Sequence, residues 1–114
     1  MITENFVESS IASEHYFTAA DGRTGAIANG TYTGVERPLA NDRDLEALAH
    51  VTVCILVMNN GHKVYGVNTG SIDPARFNAE AGRQLARKDA IGKIWELLGF
   101  EARTKLANGL KPLY

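Results

Sequence analysis

The sequence contains one cysteine, Cys54, among 114 residues. A single thiol excludes an intrachain disulfide and any zinc site built from several cysteines. This cysteine usage fits a reducing compartment such as the cytoplasm. Because Cys54 lies in an apolar run, we expect it to be a buried, unreactive side chain.

No apolar run is long enough to cross a bilayer. The longest, residues 51–58, is far shorter than the roughly 20 residues that a transmembrane helix needs. The opening MITENFVESS has no basic region followed by an apolar core, so we expect no secretory signal. We therefore expect a cytoplasmic protein with no membrane partner.

Excess charge of either sign is also missing, since the formal net charge is −1. A general nucleic-acid binder would show a clearly basic balance, so this class is not expected. The apolar content of 45% and charged content of 22% are typical of a globular chain. This length predicts a single domain spanning residues 1–114.

The residues that usually carry catalysis are scattered. His15, His50 and His62 stand far apart, and the sequence has neither a nucleophile motif nor a glycine-rich phosphate loop. Asp42 and Asp44 could form a metal or general-base site, but helix-start chemistry explains them better. We expect a protein that is not an enzyme, with no catalytic residues, metal or cofactor.

The clearest structural pattern is a β-hairpin over about residues 50–69. Residues 51–58 form an unbroken apolar run that contains Val, Thr and Ile, which predicts a strand covered on both faces. Residues 59–61, Asn-Asn-Gly, form the turn, and residues 63–68 return as the partner strand. An isolated hairpin is marginally stable, so one face should meet a helix and the other a second helix or second subunit.

Helices are predicted at both ends of the chain. Thr3 or Asn5 can cap a first helix that reaches about Ser13. Residues 78–98 read as one long helix that stops near Gly99. The fold class is therefore α+β: a small antiparallel sheet packed against an N-terminal helix and a long C-terminal helix, in an oligomer.

Between the first helix and the hairpin the pattern is weaker. The aromatic cluster at residues 15–17 either anchors the chain to the core or floors a base-binding pocket. Residues 25–34 are rich in Gly, Thr and Asn and read as a loop, with an edge strand at 31–35. A short helix is predicted through Leu45 and Leu48.

The long helix has an unusual cationic middle. At 3.6 residues per turn, its predicted core face, with Ile94 on the margin, comprises Phe77, Ala81, Leu85, Ile91, Trp95 and Leu98. Arg83 and Arg87 interrupt this face and need an anion. Two interpretations stay open: internal salt bridges or snorkelling to solvent, and a site for phosphate or for stacking on a purine. Residues 68–71 and Asp73-Pro74, before the helix, resemble an anion cradle.

Two segments carry a family resemblance. They read N-G-H…G…D-P…F-N-A-E-A-G-R…A-R-x-D-A-I-x-K-I-W-x-L-x-G from Asn60 to Gly99, and S-E-H-Y-F-T-A-x-D-G from Ser13 to Gly22. Together they cover about half the chain. They resemble a family of small tailed-phage proteins that includes the first-described type of Thoeris anti-defence protein, a sponge for cyclic ADP-ribose-type immune signals.

The resemblance implies capture of a cyclic nucleotide, made by a bacterial TIR-type system, in the cytoplasm of the infected host. Arg83 and Arg87 would meet phosphate or base. The stacking residues would be His62 and Phe77, and the hydrogen-bonding rim Asn68, Asp73 and Asn78. His62 stands where relatives often carry Phe, Asn78 where Asp is common, and Glu96 where Pro is frequent.

The resemblance also implies a dimer-based, hexameric assembly with pockets between subunits and a second type of site for cyclic oligonucleotides. The alternative function is a non-enzymatic phage accessory protein that binds a host protein through the long helix. Residues 23–49 match the family least, so no site residue is carried over there.

Overall fold

The computed structural model describes residues 1–111 and has a three-stranded antiparallel sheet in the order β1-β2-β3. The elements in chain order are α1 (Glu4–Ser9), β1 (Ile11–Thr18), α2 (Ala19–Asn29), α3 (Asp44–Leu48), β2 (Thr52–Met58), β3 (Lys63–Asn68) and α4 (Ala79–Ala107). Two 3-10 turns, Ala40–Asp42 and Pro74–Arg76, precede α3 and α4. The predicted α+β class, with a helix at each end of the chain, is confirmed.

The predicted hairpin is confirmed as β2 and β3, which pair from Thr52 opposite Asn68 to Val57 opposite Lys63. Gly61, at φ 87°, provides the left-handed residue of the turn. Within one chain β2 is buried on one face only, so the cover of its other face by a second subunit stays a prediction. Its residues alternate between buried and half-buried, because α4 packs on only one side of the sheet.

A third strand, β1, lies where the first helix was expected to continue. The helix starts as predicted, with Thr3 Oγ1 accepting the Phe6 N–H at 3.1 Å, but α1 ends at Ser9 rather than near Ser13. Residues 11–18 pair with β2 instead. Their β-branched and aromatic side chains favour a strand, and pairing with an already formed hairpin outweighs weak local helix propensity.

Residues 19–29 form the helix α2, so the prediction of a loop over residues 25–34 was wrong for its first half. Thr18 and Asp21 form a capping box: Thr18 Oγ1 accepts the Asp21 N–H, and Asp21 Oδ2 accepts the Thr18 N–H at 2.8 Å. The helix ends at Asn29, and Gly30 follows as its left-handed C-cap. The edge strand predicted at 31–35 is also absent, and this segment is a series of turns. The short helix predicted through Leu45 and Leu48 is confirmed as α3.

The helix α4 begins as predicted, after Asn78, whose side chain accepts the Ala81 N–H at 3.1 Å. It does not stop at Gly99 and runs to Ala107. A helical glycine costs about 1 kcal/mol, and the helix-forming residues beyond it offset that cost. Lys105 and Glu101 also form an ion pair one turn apart at 2.9 Å.

The buried face of α4 also differs from the predicted one. Its buried residues are spaced four apart and are mainly small: Gly82, Ala86, Ala90, Ile94 and Leu98. Leu85 and Trp95, which were predicted to face the core, are exposed. A Cβ placed on Gly66 of β3 would lie 1.9 Å from the Ala86 carbonyl oxygen. The helix and strand backbones therefore touch, which selects small side chains over large ones.

The core lies between α4, α1 and one face of the sheet. Its other members are Val7, Cys54, Leu56, Met58 and Val64. The opposite face of the sheet carries cross-strand neighbours such as Phe17, Val53 and Val67, and none of these three is fully buried. None of the helices within residues 1–111 combines the length and apolarity that a membrane span requires.

Candidate functional site

A hollow of about 260 Å³ lies where β1 ends, β2 begins and α4 starts. Nine residues line it: Tyr16, Phe17, Thr18, Asp21, Ala49, Thr52, Phe77, Ala79 and Arg83. We call it the Arg83 hollow. It combines three aromatic rings, one guanidinium and the first turn of a long helix, whose N-terminal end favours negative charge.

Arg83 is exposed and lines this hollow from the second turn of α4. Within residues 1–111, no carboxylate lies within 4.0 Å of its guanidinium. Asp21, the acidic residue of the lining, instead accepts the Thr18 N–H in the capping box. Arg83 therefore retains donors for an external anion.

Phe77 separates the Arg83 hollow from a second hollow of about 160 Å³. Asn68, Asn78 and Arg76 are among the residues that line this second hollow. The side-chain oxygen of Asn68 accepts the Gly70 N–H at 3.0 Å, and that of Asn78 caps α4, so their amide nitrogens remain as donors. Three predicted site residues, Asn68, Phe77 and Asn78, are thus brought together.

Asp73 lies directly before the turn Pro74–Arg76, and its carboxylate interacts with residues of that turn. Its Oδ1 accepts the Ala75 N–H at 3.0 Å, and its Oδ2 lies 3.9 Å from Arg76 Nε. It caps the turn Pro74–Arg76 and lines neither hollow. The predicted cradle of residues 68–71 does border the second hollow, through Asn68, Gly70 and Ser71.

Arg87, the predicted partner of Arg83, is engaged by carboxylates of its own chain. Its Nη1 and Nη2 donate to the two oxygens of Glu8 at 2.9 and 2.7 Å, and its Nε donates to Glu14 at 2.7 Å. Hydrogen bonds to Glu8 and Glu14 raise the pKa of Arg87, and the hydrogen bond from Arg87 lowers that of Glu8. This geometry matches the internal salt-bridge interpretation, and it ties α1 and β1 to α4.

His62 lies apart from both hollows. It borders a groove of about 460 Å³ between β3 and the second half of α4, together with Tyr65, Lys93 and Phe100. Lys93 Nζ lies 3.6 Å from the centre of the Tyr65 ring and donates to the Tyr65 carbonyl oxygen. The groove is the largest of the hollows described in this chain, but the structure brings none of the other predicted site residues into it.

Several residues of the Arg83 hollow were not predicted as site residues. Tyr16 and Phe17 belong to the aromatic cluster for which a pocket role was left open, and both line the hollow. Burial raises the pKa of Tyr16, whose hydroxyl donates to Glu14 at 3.2 Å. Thr18 and Asp21 could have been found from the T-x-x-D spacing of a capping box, which fixes where β1 ends.

No group of three or more His, Cys, Asp or Glu side chains within residues 1–111 could hold a metal ion. Asp42, considered above as a metal ligand, lies 3.6 Å from Arg23 Nη2. The Nε of the same arginine forms an ion pair with Glu36. These ion pairs connect α2 to the segment before α3.

The model of the phage protein family described as N4 Gp49/phage Sf6 gene 66 matches residues 2–106. No curated protein and no solved structure matches the chain. Because the match spans most of the sequence, the chain belongs to this family of small phage proteins.

Proposed function

We propose that this member of the phage family binds and sequesters cyclic nucleotide immune signals, such as isomers of cyclic ADP-ribose, in the cytoplasm of the infected bacterium. The signals would come from TIR-type defence systems such as Thoeris, and capture would keep their effectors inactive. The protein would act stoichiometrically and without catalysis. Phage family membership and the sequence resemblance support this proposal.

The observation that carries the proposal is the position of Arg83, which has no carboxylate partner among residues 1–111, beside the aromatic rings of its hollow. A cyclic ADP-ribose isomer carries a negatively charged diphosphate and a planar adenine base. A guanidinium binds phosphate through two parallel hydrogen bonds and stacks on a base, and an aromatic ring stacks in the same way. The Arg83 hollow places both kinds of group within one small cavity.

We also propose a division of roles among the predicted residues. We assign Arg83 to phosphate or base and Phe77 to stacking. The hydrogen-bonding rim would include Asn68 and Asn78, with Asp73 shaping the turn before them. Arg87 would support the site by holding β1 against α4, and His62 would contribute only if a ligand extended into its separate groove.

We further propose that copies of this chain assemble, in a dimer-based hexamer, and that a neighbouring copy completes the site. The Arg83 hollow, at about 260 Å³, is smaller than the roughly 300–1,000 Å³ of most small-molecule sites. The chain exposes 8037 Å², against about 6,100 Å² for a compact monomer of this mass. Its radius of gyration is 18.1 Å, against about 13 Å for a compact domain.

Ligand release tests the function directly. The protein is incubated with the filtrate of an activated TIR enzyme, washed, heat-denatured, and the released molecules are identified by mass spectrometry. We expect a cyclic ADP-ribose isomer from the wild type and little from Arg83→Ala. Adding the isomer at about 100 times its Kd should stabilise the wild type by roughly 2.7 kcal/mol. Release of no nucleotide, with no thermal shift, would overturn the proposal.

A second candidate function is binding of a host protein through α4. Apolar side chains on its second half are exposed, with Phe100 at 75% and Leu106 at 56%. Exposed aromatic and aliphatic residues on one helix are typical of protein-binding surfaces. A host protein that binds the wild type but not Phe100→Glu, together with no nucleotide release, would favour this candidate.

A further inference from the structure

The ring of Phe77 stacks on that of His50, a residue that lines neither hollow. The two rings stack with centroids 4.4 Å apart and planes only 6° apart. His50 belongs to the short link between α3 and β2, whereas Phe77 precedes α4. The stack therefore joins two segments that are distant in sequence at the wall between the Arg83 hollow and the second hollow.

The same histidine also supports the loop beside Phe77. A Cβ placed on Gly70 would lie 3.0 Å from the His50 carbonyl oxygen, 3.1 Å from His50 Cβ and 3.5 Å from Phe77 Cδ1. Gly70, His50 and Phe77 are therefore in close contact, and Gly70 borders the second hollow. Any movement of His50 would disturb a wall of each hollow.

We propose that His50 is a positioning residue of the ligand site, acting through Phe77. This inference rests on the proposed function, in which Phe77 stacks on a base. A ring that is already fixed by a stacked partner loses little freedom when a ligand binds, whereas a free ring must be ordered at a cost. The His50 stack orients Phe77 before the ligand arrives.

His50 itself does not line either hollow around Phe77. It borders a different cavity, of about 370 Å³, with Arg43, Glu46, Ala47, Thr69 and Pro74. A ligand in the Arg83 hollow would therefore contact Phe77 and not the imidazole. This separation distinguishes a positioning residue from one that touches the ligand.

Substitutions at His50 separate positioning from simple space filling. His50→Ala removes the stacked ring, His50→Phe keeps a planar ring, and His50→Leu fills space without one. Glu46→Gln, in the same outer cavity, is the matched control. The first measurement is the aromatic ¹³C–¹H spectrum of protein labelled at its four phenylalanines, with Phe77 assigned through Phe77→Leu. The second is calorimetric affinity for cyclic ADP-ribose isomers.

We expect His50→Ala to shift and broaden the Phe77 ring signals and to weaken binding by roughly threefold to tenfold, the cost of ordering one side chain. His50→Phe should restore both properties, and Glu46→Gln should leave both unchanged. If His50→Ala does not fold, the comparison of His50→Phe with His50→Leu decides whether a planar ring at this position is needed. Ring signals and affinity that are equal in these two variants, or unchanged in His50→Ala, would overturn the inference.

The two proposals fail in different ways. If the wild type binds no isomer, the proposed function fails, while the ring signals still report whether His50 holds Phe77. If the wild type binds but His50→Ala binds equally well, the function stands and the role of His50 is structural only.

Discussion

Arg87 and Glu8 form a two-point ion pair, in which both terminal nitrogens of the guanidinium donate to both oxygens of the carboxylate. The third donor, Nε, binds Glu14. Glu8 lies near the end of α1, Glu14 lies in β1 and Arg87 lies in α4, so the Arg87 side chain connects three elements. Arg87 was also predicted to contact a ligand, and in this structure its three donor nitrogens bind carboxylates of α1 and β1.

Removing this guanidinium should destabilise the fold. Arg87→Ala leaves two carboxylates close together without a cation. We expect a loss of about 1–3 kcal/mol in the free energy of unfolding, a value between those typical of surface ion pairs and of buried ion pairs. Urea unfolding measures it. Arg83→Ala, one turn away and without an ion pair among the described residues, is the control and should cost less than about 0.5 kcal/mol. Equal losses in both variants would contradict this role.

Acid should weaken the same contact. Arg87 lowers the pKa of Glu8 in the folded protein, so the pair contributes stability above the unfolded carboxyl pKa, and this stability is lost as pH falls through the lower folded value. Wild type should therefore exceed Glu8→Gln in stability at pH 7, by up to about 1 kcal/mol because the pair is partly exposed. The difference should shrink once the pH falls below the ordinary glutamate pKa of about 4.3, and it should vanish only below the lower folded value. A constant difference between pH 7 and pH 3 would show that ionisation of Glu8 is not its source.

The contact between α4 and β3 leaves no room for a side chain at Gly66. A Cβ there would lie 1.9 Å from the Ala86 oxygen and 2.5 Å from the Ala90 nitrogen, both backbone atoms. We expect Gly66→Ala to cost more than about 3 kcal/mol or to prevent folding. Gly92→Ala is the matched control in α4, where an added Cβ meets nothing within 4 Å and should stabilise by up to about 1 kcal/mol. Circular dichroism during urea unfolding measures both, and a tolerated Gly66→Ala would refute the close contact.

The sheet face opposite α4 is the surface through which we expect copies to meet. Ile55 lies at its centre, between His15 and Tyr65 on the neighbouring strands. Ile55→Lys should dissociate the assembly while the monomer stays folded, because a half-buried lysine can extend its amine into solvent. Ile72→Lys, at a fully exposed loop residue, should leave the assembly intact. Light scattering after size exclusion measures the mass. A monomeric wild type, or an unchanged Ile55→Lys oligomer, would rule this surface out.

The hairpin and the start of α4 could be predicted from the sequence because their signals are local. An Asn-Gly turn between two β-forming runs specifies β2 and β3, and Asn78 is a good helix cap. The strand β1 could not be predicted in the same way, since residues 11–13 also suit a helix and only pairing with β2 decides their conformation.

The face of α4 and the role of Arg87 depend on contacts that are distant in sequence. Periodicity favours Leu85 and Trp95 for the core, but the close approach of Gly66 selects Ala86 and Ala90. Glu8 and Glu14 lie more than 70 residues before Arg87, so no spacing rule links them to it. Of the predicted site residues, Phe77 and Arg83 share a hollow because Phe77 lies just before α4 and Arg83 lies in its second turn.

Calorimetric titration of the wild type and Arg83→Ala with cyclic ADP-ribose isomers tests most directly whether Arg83 receives the ligand. We predict saturable binding of one isomer by the wild type, and affinity about 10- to 150-fold weaker in Arg83→Ala, the expected cost of losing hydrogen bonds to a charged group. The unfolding free energy of the variant should stay unchanged. No heat of binding with any isomer, or equal affinity in both proteins, would contradict the proposed capture of the ligand by Arg83.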